Sequence, residues 1–390
     1  MPSKFGDRTL LTMHPTLLVG PYDWQPERLA QSQFLDRIRA LWNKISDPSC
    51  LAVIVYGDSH DHAELTYLSN FVPKLGPAVL FVPREGEPKL LVSGAPNMLV
   101  AARRLTWIEG VEPLRDAENT IVRWLNDGID SNPGTSGRRV ALIGGDYMRR
   151  AFHRPFIESV DHKNVPVDAT PWLRTLMRCK SPRELTIIRE SCAILDAATK
   201  ALTQAKRAGT GVTASVLEAE RAAYHLGAQD VRTLFSIDRG RTLRPFEQAI
   251  DSTVDPLQAY IAVRHVGYWV EGFVSLSTSE HPVLVKAGEA LKTVITSATA
   301  GAKCSDLARL AAEKIRPYGL HAMTAGNIGN GIGLSLEEEL LISTTTEETL
   351  GAGEVYTLRV GASDGQEHHG IVSAIIAVHE NENELLWGAV

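Results

Sequence analysis

One acid stands out from its surroundings. Glu271 lies inside LQAYIAVRHVGYWVEGFVSLS (257–277), a run rich in aromatic and β-branched residues and free of proline, which is strand composition. A carboxylate among strand residues is costly to bury unless it has a partner or a task. Arg264 and His265 share the run. His265 reads equally as a satisfied structural histidine or as an acid/base group, because imidazole titrates near neutrality. The run itself reads as two strands folded back on each other, with Gly267 and Gly272 permitting a bend or a bulge.

Other chemistry-bearing patterns are weaker. Gly361-Ala362-Ser363-Asp364-Gly365 fits G-x-S-x-G, but a nucleophile elbow needs a helix after the serine. None starts there, so a turn is expected. The glycines at 326, 329, 331 and 333 do not form G-x-G-x-x-G; they let the backbone pass close to something. His368 and His369 sit beside Glu367 and Asp364. A metal site is conceivable, but neighbours along a strand point to opposite faces, and a solvated loop is simpler. His60 and His62 flank Asp61 in GDSHDH and either line a ligand site or sit in a polar loop. Glu337-Glu338-Glu339 reads as a solvated charge run.

These residues sit in a chain of 390 residues with a formal net charge of −6. No global field favours nucleic acid. The four cysteines are far apart and form no C-x-x-C pair, so neither a disulfide framework nor a zinc knuckle is expected. The opening MPSKFGDRTLLTMHP lacks a basic start followed by a long apolar run, and no stretch approaches about 18 uninterrupted apolar residues. The expectation is a cytoplasmic protein without a membrane span.

The elements that must position Glu271 follow from periodicity. In the first half, LAVIVYG (51–57), PAVLFVP (77–83), KLLVSG (89–94) and RRVALIGG (138–145) read as buried strands between helix-like runs, an α/β layer with a parallel or mixed sheet. DGIDSNPGTSG (127–137) reads as a surface loop. Ser181, Pro182 and Glu184 then spell a helix start with a capping box. Leu185, Ile188, Cys192, Leu195, Ala198 and Leu202 follow at helical spacing. The second half repeats itself weakly. Ala208-Gly209 and Ala300-Gly301 each precede an Ala-rich helix, which ends at Leu226-Gly227 and Tyr318-Gly319. Both offsets are 92 (301−209 and 319−227), which suggests a duplicated α+β unit with a pocket at the join.

At this point a resemblance enters. RCKSPRELTIIRESCAILDAA, GYWVEGF, GNGIGLSLEE, GEVYTLRVG and GIVSAIIAV occur in order. They are similar to landmarks of the creatinase/aminopeptidase P/prolidase family, and ELTYLSNF resembles its N-terminal Y-L-T-G-F. The resemblance implies an α+β fold: a creatinase-like N-terminal α/β domain (1–175), then a duplicated pita-bread domain (176–390), and a homodimer. In that family the partner's N-terminal domain often completes the pocket, which would bring in His60, His62 or Tyr67.

The departures matter more. The family usually holds two divalent metals with two Asp, one His and two Glu. Carried over, these positions fall on Tyr260, Glu271, Asn330, Arg359 and Ser373. One acid remains of five ligands, and hard cations need several. Arg359 would repel a dication at ~4 Å by on the order of 8 kcal/mol at an effective dielectric of about 20. No metal and no other cofactor is expected. Arg244 stands near the position of a family histidine. Glu271 either pairs structurally with Arg359, acts as a general base, or anchors a cationic nitrogen. The expected function is a metal-independent hydrolase or lyase, creatinase-like rather than a metallo-aminopeptidase, cutting a C–N bond of a small anionic, carboxylate-bearing molecule. Glu271 or His265 would be its base; Tyr260 and Asn330 would stabilise charge. Arg359, Asn330, Ser373 and Arg244 would contact substrate. The alternative is a pseudoenzyme that binds a small ligand, peptide or protein.

Overall fold

The computed structural model describes residues 22–94, 98–115, 119–121, 123–124, 139–150, 166–324, 326–365 and 368–388. The expected loop at 127–137, the opening stretch and Glu367 lie outside them. The chain divides into two compact units, Met1–Leu173 and Arg174–Val390.

Among the described residues the first helix of the first unit is α1 (Gln31–Lys44), which buries Phe34, Ile38 and Leu41 on one face because they recur every three to four residues. Strand β1 (Cys50–Gly57) is buried almost throughout and lies inside the sheet. Next come α2 (Ala63–Ser69), β2 (Ala78–Pro83), β3 (Lys89–Val92), a short helix α3 (Leu99–Ala102), β4 (Gly110–Pro113), β5 (Arg139–Ile143) and β6 (Val167–Asp168). The sheet order is β4-β3-β2-β1-β5-β6. β1 pairs with β2 antiparallel and with β5 parallel, so the sheet is mixed. The four apolar runs of this half are its strands β1, β2, β3 and β5.

Helix α4 (Thr170–Arg178) leads to α5 (Pro182–Arg207), a helix of 26 residues. The Ser181 hydroxyl accepts the Glu184 N–H, while the Glu184 carboxylate accepts the Ser181 N–H at 2.9 Å. This is the capping box that the residue types call for. Helix α6 (Val212–His225) follows, then the antiparallel strands β7 (Asp230–Ser236), β8 (Leu257–His265) and β9 (Tyr268–Leu276). The turn between β8 and β9 has two residues, Val266 and Gly267, both left-handed at φ 47° and 84°, as tight hairpins require. Gly272 does not make a bulge. The ladder runs through it unbroken, and its missing Cβ makes room for the Trp387 ring.

The second helix pair is α7 (Pro282–Ser297) and α8 (Cys304–Ile315). After it come β10 (His321–Ala322), β11 (Asn327–Gly331), β12 (Glu338–Ser343), β13 (Val355–Ser363), β14 (His369–Val378) and β15 (Asn383–Gly388). Their order is β12-β11-β13-β14-β15, with β10 on β13. Helices α7 and α8 bury Leu291, Val294, Leu307 and Ala311 against Leu358, Ala374 and Ile376 of this sheet. The internal repeat is real in layout: a helix pair, then an antiparallel sheet, twice. Gly209, Gly227, Gly301 and Gly319 close the helical segments with φ between 69° and 93°, a conformation glycine adopts without strain.

Candidate active site

The two sheets of the second unit meet where β9 runs against β14. The Phe273 N–H donates to the Ser373 hydroxyl at 2.6 Å, and the Ser275 hydroxyl donates to Ile371 O at 2.8 Å. Residues directly opposite in a ladder share a face. Tyr260 faces Phe273, Ala262 faces Glu271 and Arg264 faces Trp269, while Arg359 faces Ser373. The join therefore brings the carboxylate of one sheet to the guanidinium of the other.

Glu271 is buried and is held by side chains. The Tyr260 hydroxyl donates to its Oε2 at 2.7 Å, and Arg359 Nη1 reaches its Oε1 at 3.2 Å. Arg359 Nη2 turns to Asn327 Oδ1 at 3.4 Å. Burial raises the Glu271 carboxyl above its ordinary pKa, and the Glu337 charge adds to this. The Tyr260 hydroxyl, the Arg359 charge and Thr357 act against it. The buried Thr357 hydroxyl lies near enough to act but makes no well-directed hydrogen bond. Burial and the Glu271 charge push the Tyr260 phenol upward, so it stays a neutral donor. The group can therefore exchange a proton from a raised pKa beside a donor and a fixed cation.

The other expected site residues are placed as follows. Asn330 is buried, and its amide donates to Gly331 O at 2.8 Å and Leu336 O at 3.0 Å, pinning its own loop. Ser373 is fully buried with its hydroxyl on the Phe273 N–H, so it joins the sheets rather than facing a ligand. His265 does not join Glu271. It stands at the hairpin end on the opposite face, with Nδ1 3.0 Å from Gly227 O and Nε2 3.4 Å from Glu190. A one-residue step along a strand reverses the side, and that step separates His265 from Arg264. Arg244 is paired with Asp238 at 3.9 Å and bridges Phe235, whose face is opposite to that of Tyr260. His60, His62 and Tyr67 belong to the first unit. His60 is an exposed loop residue, and His62 Nδ1 is 3.2 Å from Thr66 Oγ1. The Tyr67 ring is buried under the Arg37 guanidinium, 4.1 Å from Cζ to the ring centre, which makes it a core residue.

The acidic run is not solvated as a whole. The Glu338 side chain is largely covered, its Oε2 2.5 Å from Lys180 Nζ and its Oε1 on the Leu334 N–H at 2.6 Å. The nearby glycines bring β11 close to its neighbours: a Cβ at Gly329 would meet Thr357 O, and one at Gly331 would meet Glu339 O. GASDG is the start of the β13–β14 hairpin, as its lack of a following helix implies. His368 lies in that hairpin with Nδ1 2.5 Å from Asp364 and its ring against His281. Arg232, Asn327 and Thr357 are site neighbours that the sequence did not single out, and Glu337, read there only as part of a solvated charge run, is another.

A family model, metallopeptidase family M24, matches residues 274–380. Among curated protein sequences none matches. Similar solved structures include the prolidase of Pyrococcus horikoshii OT3, with 18% identity, TM-score 0.74, and coverage of 90% of this chain and 97% of that one. The X-Pro aminopeptidase of Thermotoga maritima MSB8 has 18% identity, TM-score 0.73 and the same coverage. Dipeptidase PepE of Mycobacterium ulcerans has 16% identity, TM-score 0.71, and coverage of 91% and 96%. The fold is that of the prolidases and X-Pro aminopeptidases. It is the two-domain α+β, pita-bread architecture expected from the sequence.

The resemblance to that family implies a dinuclear metal centre, and the donors here do not fit one. The Glu271 oxygens accept from a phenol and a guanidinium, Asn330 turns its amide to two carbonyls, and Ser373 is spent on a backbone N–H. Among the described residues, no group of three or more His, Cys, Asp or Glu side chains could hold a metal ion.

Proposed function

We propose that the chain is a hydrolase or lyase acting, without a resident metal, on a C–N bond of a small carboxylate-bearing molecule, with Glu271 as its base. The supporting observation is the partner set of Glu271: a buried carboxylate of raised pKa, engaged among the described residues only by side chains that can yield to substrate. In hydrolysis, Glu271 takes a proton from water as the water oxygen bonds to the substrate carbon. The C–N electron pair then leaves with nitrogen, which receives that proton from Glu271. Tyr260 and Arg359 supply N–H and O–H donors to developing negative charge. Elimination uses the same base on a carbon-bound proton. Because Arg359 is turned to Glu271 and Asn327, a substrate carboxylate on Arg359 would have to displace Glu271.

The test is turnover of small amides, amidines and ureido acids by EDTA-treated protein whose metal content is measured on the same batch. Activity is expected in the metal-free protein and should fall about 10²–10⁴-fold in Glu271→Gln. Retained turnover in that variant removes Glu271 from the mechanism, and activity that returns only with stoichiometric manganese, iron or zinc overturns the metal-free reading. A second reading, a non-catalytic binding module, draws on the same ion pair: each Glu271 oxygen already has a partner. Metal-free protein that binds a ligand and turns over none of the panel would favour it.

A further inference from the structure

Within that reading of the Glu271 site, hydrolysis also needs a group that holds the attacking water. One side chain meets the requirement. On β13, Thr357 is two residues before Arg359, so the two project from one face, the face that Arg359 turns to Glu271. The ladder neighbours of Thr357 are Asn330 and Ile375. Asn330 spends its amide on Gly331 O and Leu336 O, and Ile375 has no polar atom in its side chain. Thr357 is fully buried, and its hydroxyl has no hydrogen-bond partner among the described residues. It nonetheless lies near enough to Glu271 to steady the charged carboxylate.

A buried hydroxyl without a partner is costly, and native structures keep few of them without a use. Valine would fill the same space, so packing does not call for the Thr357 oxygen. The ladders that hold β13 to β11 and β14 are backbone pairings and do not call for it either. The carboxylate has capacity to spare as well. Tyr260 occupies Oε2 and Arg359 occupies Oε1, whereas an ionised carboxylate offers about four lone-pair directions. A hydroxyl can both donate and accept, and a buried water needs at least two polar partners. Glu271 and Thr357 supply that pair side by side in a place closed to bulk solvent.

We infer that Thr357 positions the attacking water against Glu271, and that the reaction of this site is hydrolysis rather than elimination. The water gives one hydrogen to the Glu271 carboxylate and the other to Thr357 Oγ1. Its free lone pair is then aimed at the substrate carbon. As the oxygen bonds to that carbon, the first proton passes to Glu271. The C–N electron pair leaves with nitrogen, which takes that proton. The second hydrogen stays on the oxygen, now bound to carbon, and Thr357 neither gains nor loses a proton. Elimination has no use for Thr357, because a base that removes a carbon-bound proton needs no bound water.

The experiment pairs crystal structures with kinetics, both on metal-stripped protein. In wild type, one ordered water is expected within hydrogen-bond distance of both Thr357 Oγ1 and Glu271; in Thr357→Val it should be gone. On whichever amide, amidine or ureido acid of the panel is turned over, Thr357→Val should lower kcat about 10- to 100-fold and leave KM unchanged. Thr357→Ser should restore most of the loss. The melting temperature of Thr357→Val should hold or rise, since the change removes an unpartnered buried hydroxyl. The acid limb of kcat/KM should move to higher pH, because Thr357 favours the ionised form of Glu271. An unchanged kcat in Thr357→Val overturns the inference, as does a wild-type structure in which Thr357 Oγ1 binds no water, or product that takes up no oxygen-18 from labelled solvent. The two proposals fail separately. A water bridging Thr357 and Glu271 in protein that turns over none of the panel sinks the catalytic reading and keeps the water site; turnover that falls in Glu271→Gln but not in Thr357→Val does the reverse.

Discussion

The second unit builds the same trio of side chains twice. At one place Tyr260 and Arg359 hold Glu271; at the other, Tyr356 and Arg178 hold Glu354. The two differ in what fills the remaining lone pairs. Glu354 also accepts the Gly351 N–H at 2.6 Å, and Arg178 grips it with Nε at 2.8 Å and Nη2 at 3.2 Å. Two further covered acids follow the same rule: Glu184 accepts the Ser181 N–H and Glu338 the Leu334 N–H. Among the described residues Glu271 accepts no backbone N–H. Backbone donors lock a carboxylate to the fold, whereas side-chain donors can swing. A buried acid is thus read as clamp or as reagent by its donors rather than by its burial.

That contrast can be broken at several points. Glu271→Gln should lower turnover about 10²–10⁴-fold, the usual worth of a general base, with only a small change in melting temperature. Next in size is the clamp: Glu338→Ala should leave Lys180 buried and unpaired and cost roughly 3–5 kcal/mol in a denaturant titration, with any activity per folded molecule retained. If Glu271→Gln instead destabilises as much as Glu338→Ala, the distinction between the two kinds of acid is lost.

A pH comparison sharpens it further. The Glu271 carboxyl is raised in the folded state, so the folded chain holds this proton above the pH at which the unfolded chain loses it. Its stabilising contribution is full below the ordinary glutamate range and disappears as pH rises through the raised value. Wild type should therefore lose stability relative to Glu271→Gln across that interval, and kcat/KM should rise over it as the base ionises. The opposite slope would place a charged, clamp-like carboxylate there. A smaller effect is expected from Tyr260→Phe, about 0.5–1.5 kcal/mol for one hydrogen bond, with a larger fall in kcat than in KM. Smallest is the exposed pair Arg189–Glu384, joined at 2.6 and 2.9 Å. Breaking it should cost about 0–1 kcal/mol and vanish in high salt.

What the sequence determined by itself was everything carried by neighbours in the chain. The box at Ser181–Glu184, the β8–β9 hairpin and the glycines that end the repeated helices are short-range features. Each is set by φ preferences and by donors within a few residues. Glu271 was legible as an acid out of place for the same reason. Tertiary structure alone decided which acid is locked and which is not. Glu338 finds Lys180, 158 positions away, and so leaves the water that a run of three glutamates would otherwise take. Arg359 reaches Glu271 only because β9 abuts β14. The side on which His265 falls, away from the acid, depended on a register shared by two strands. A carboxylate's role depends on the donors and charges within a few ångströms, and most of those arrive from distant parts of the chain when the sheets pack.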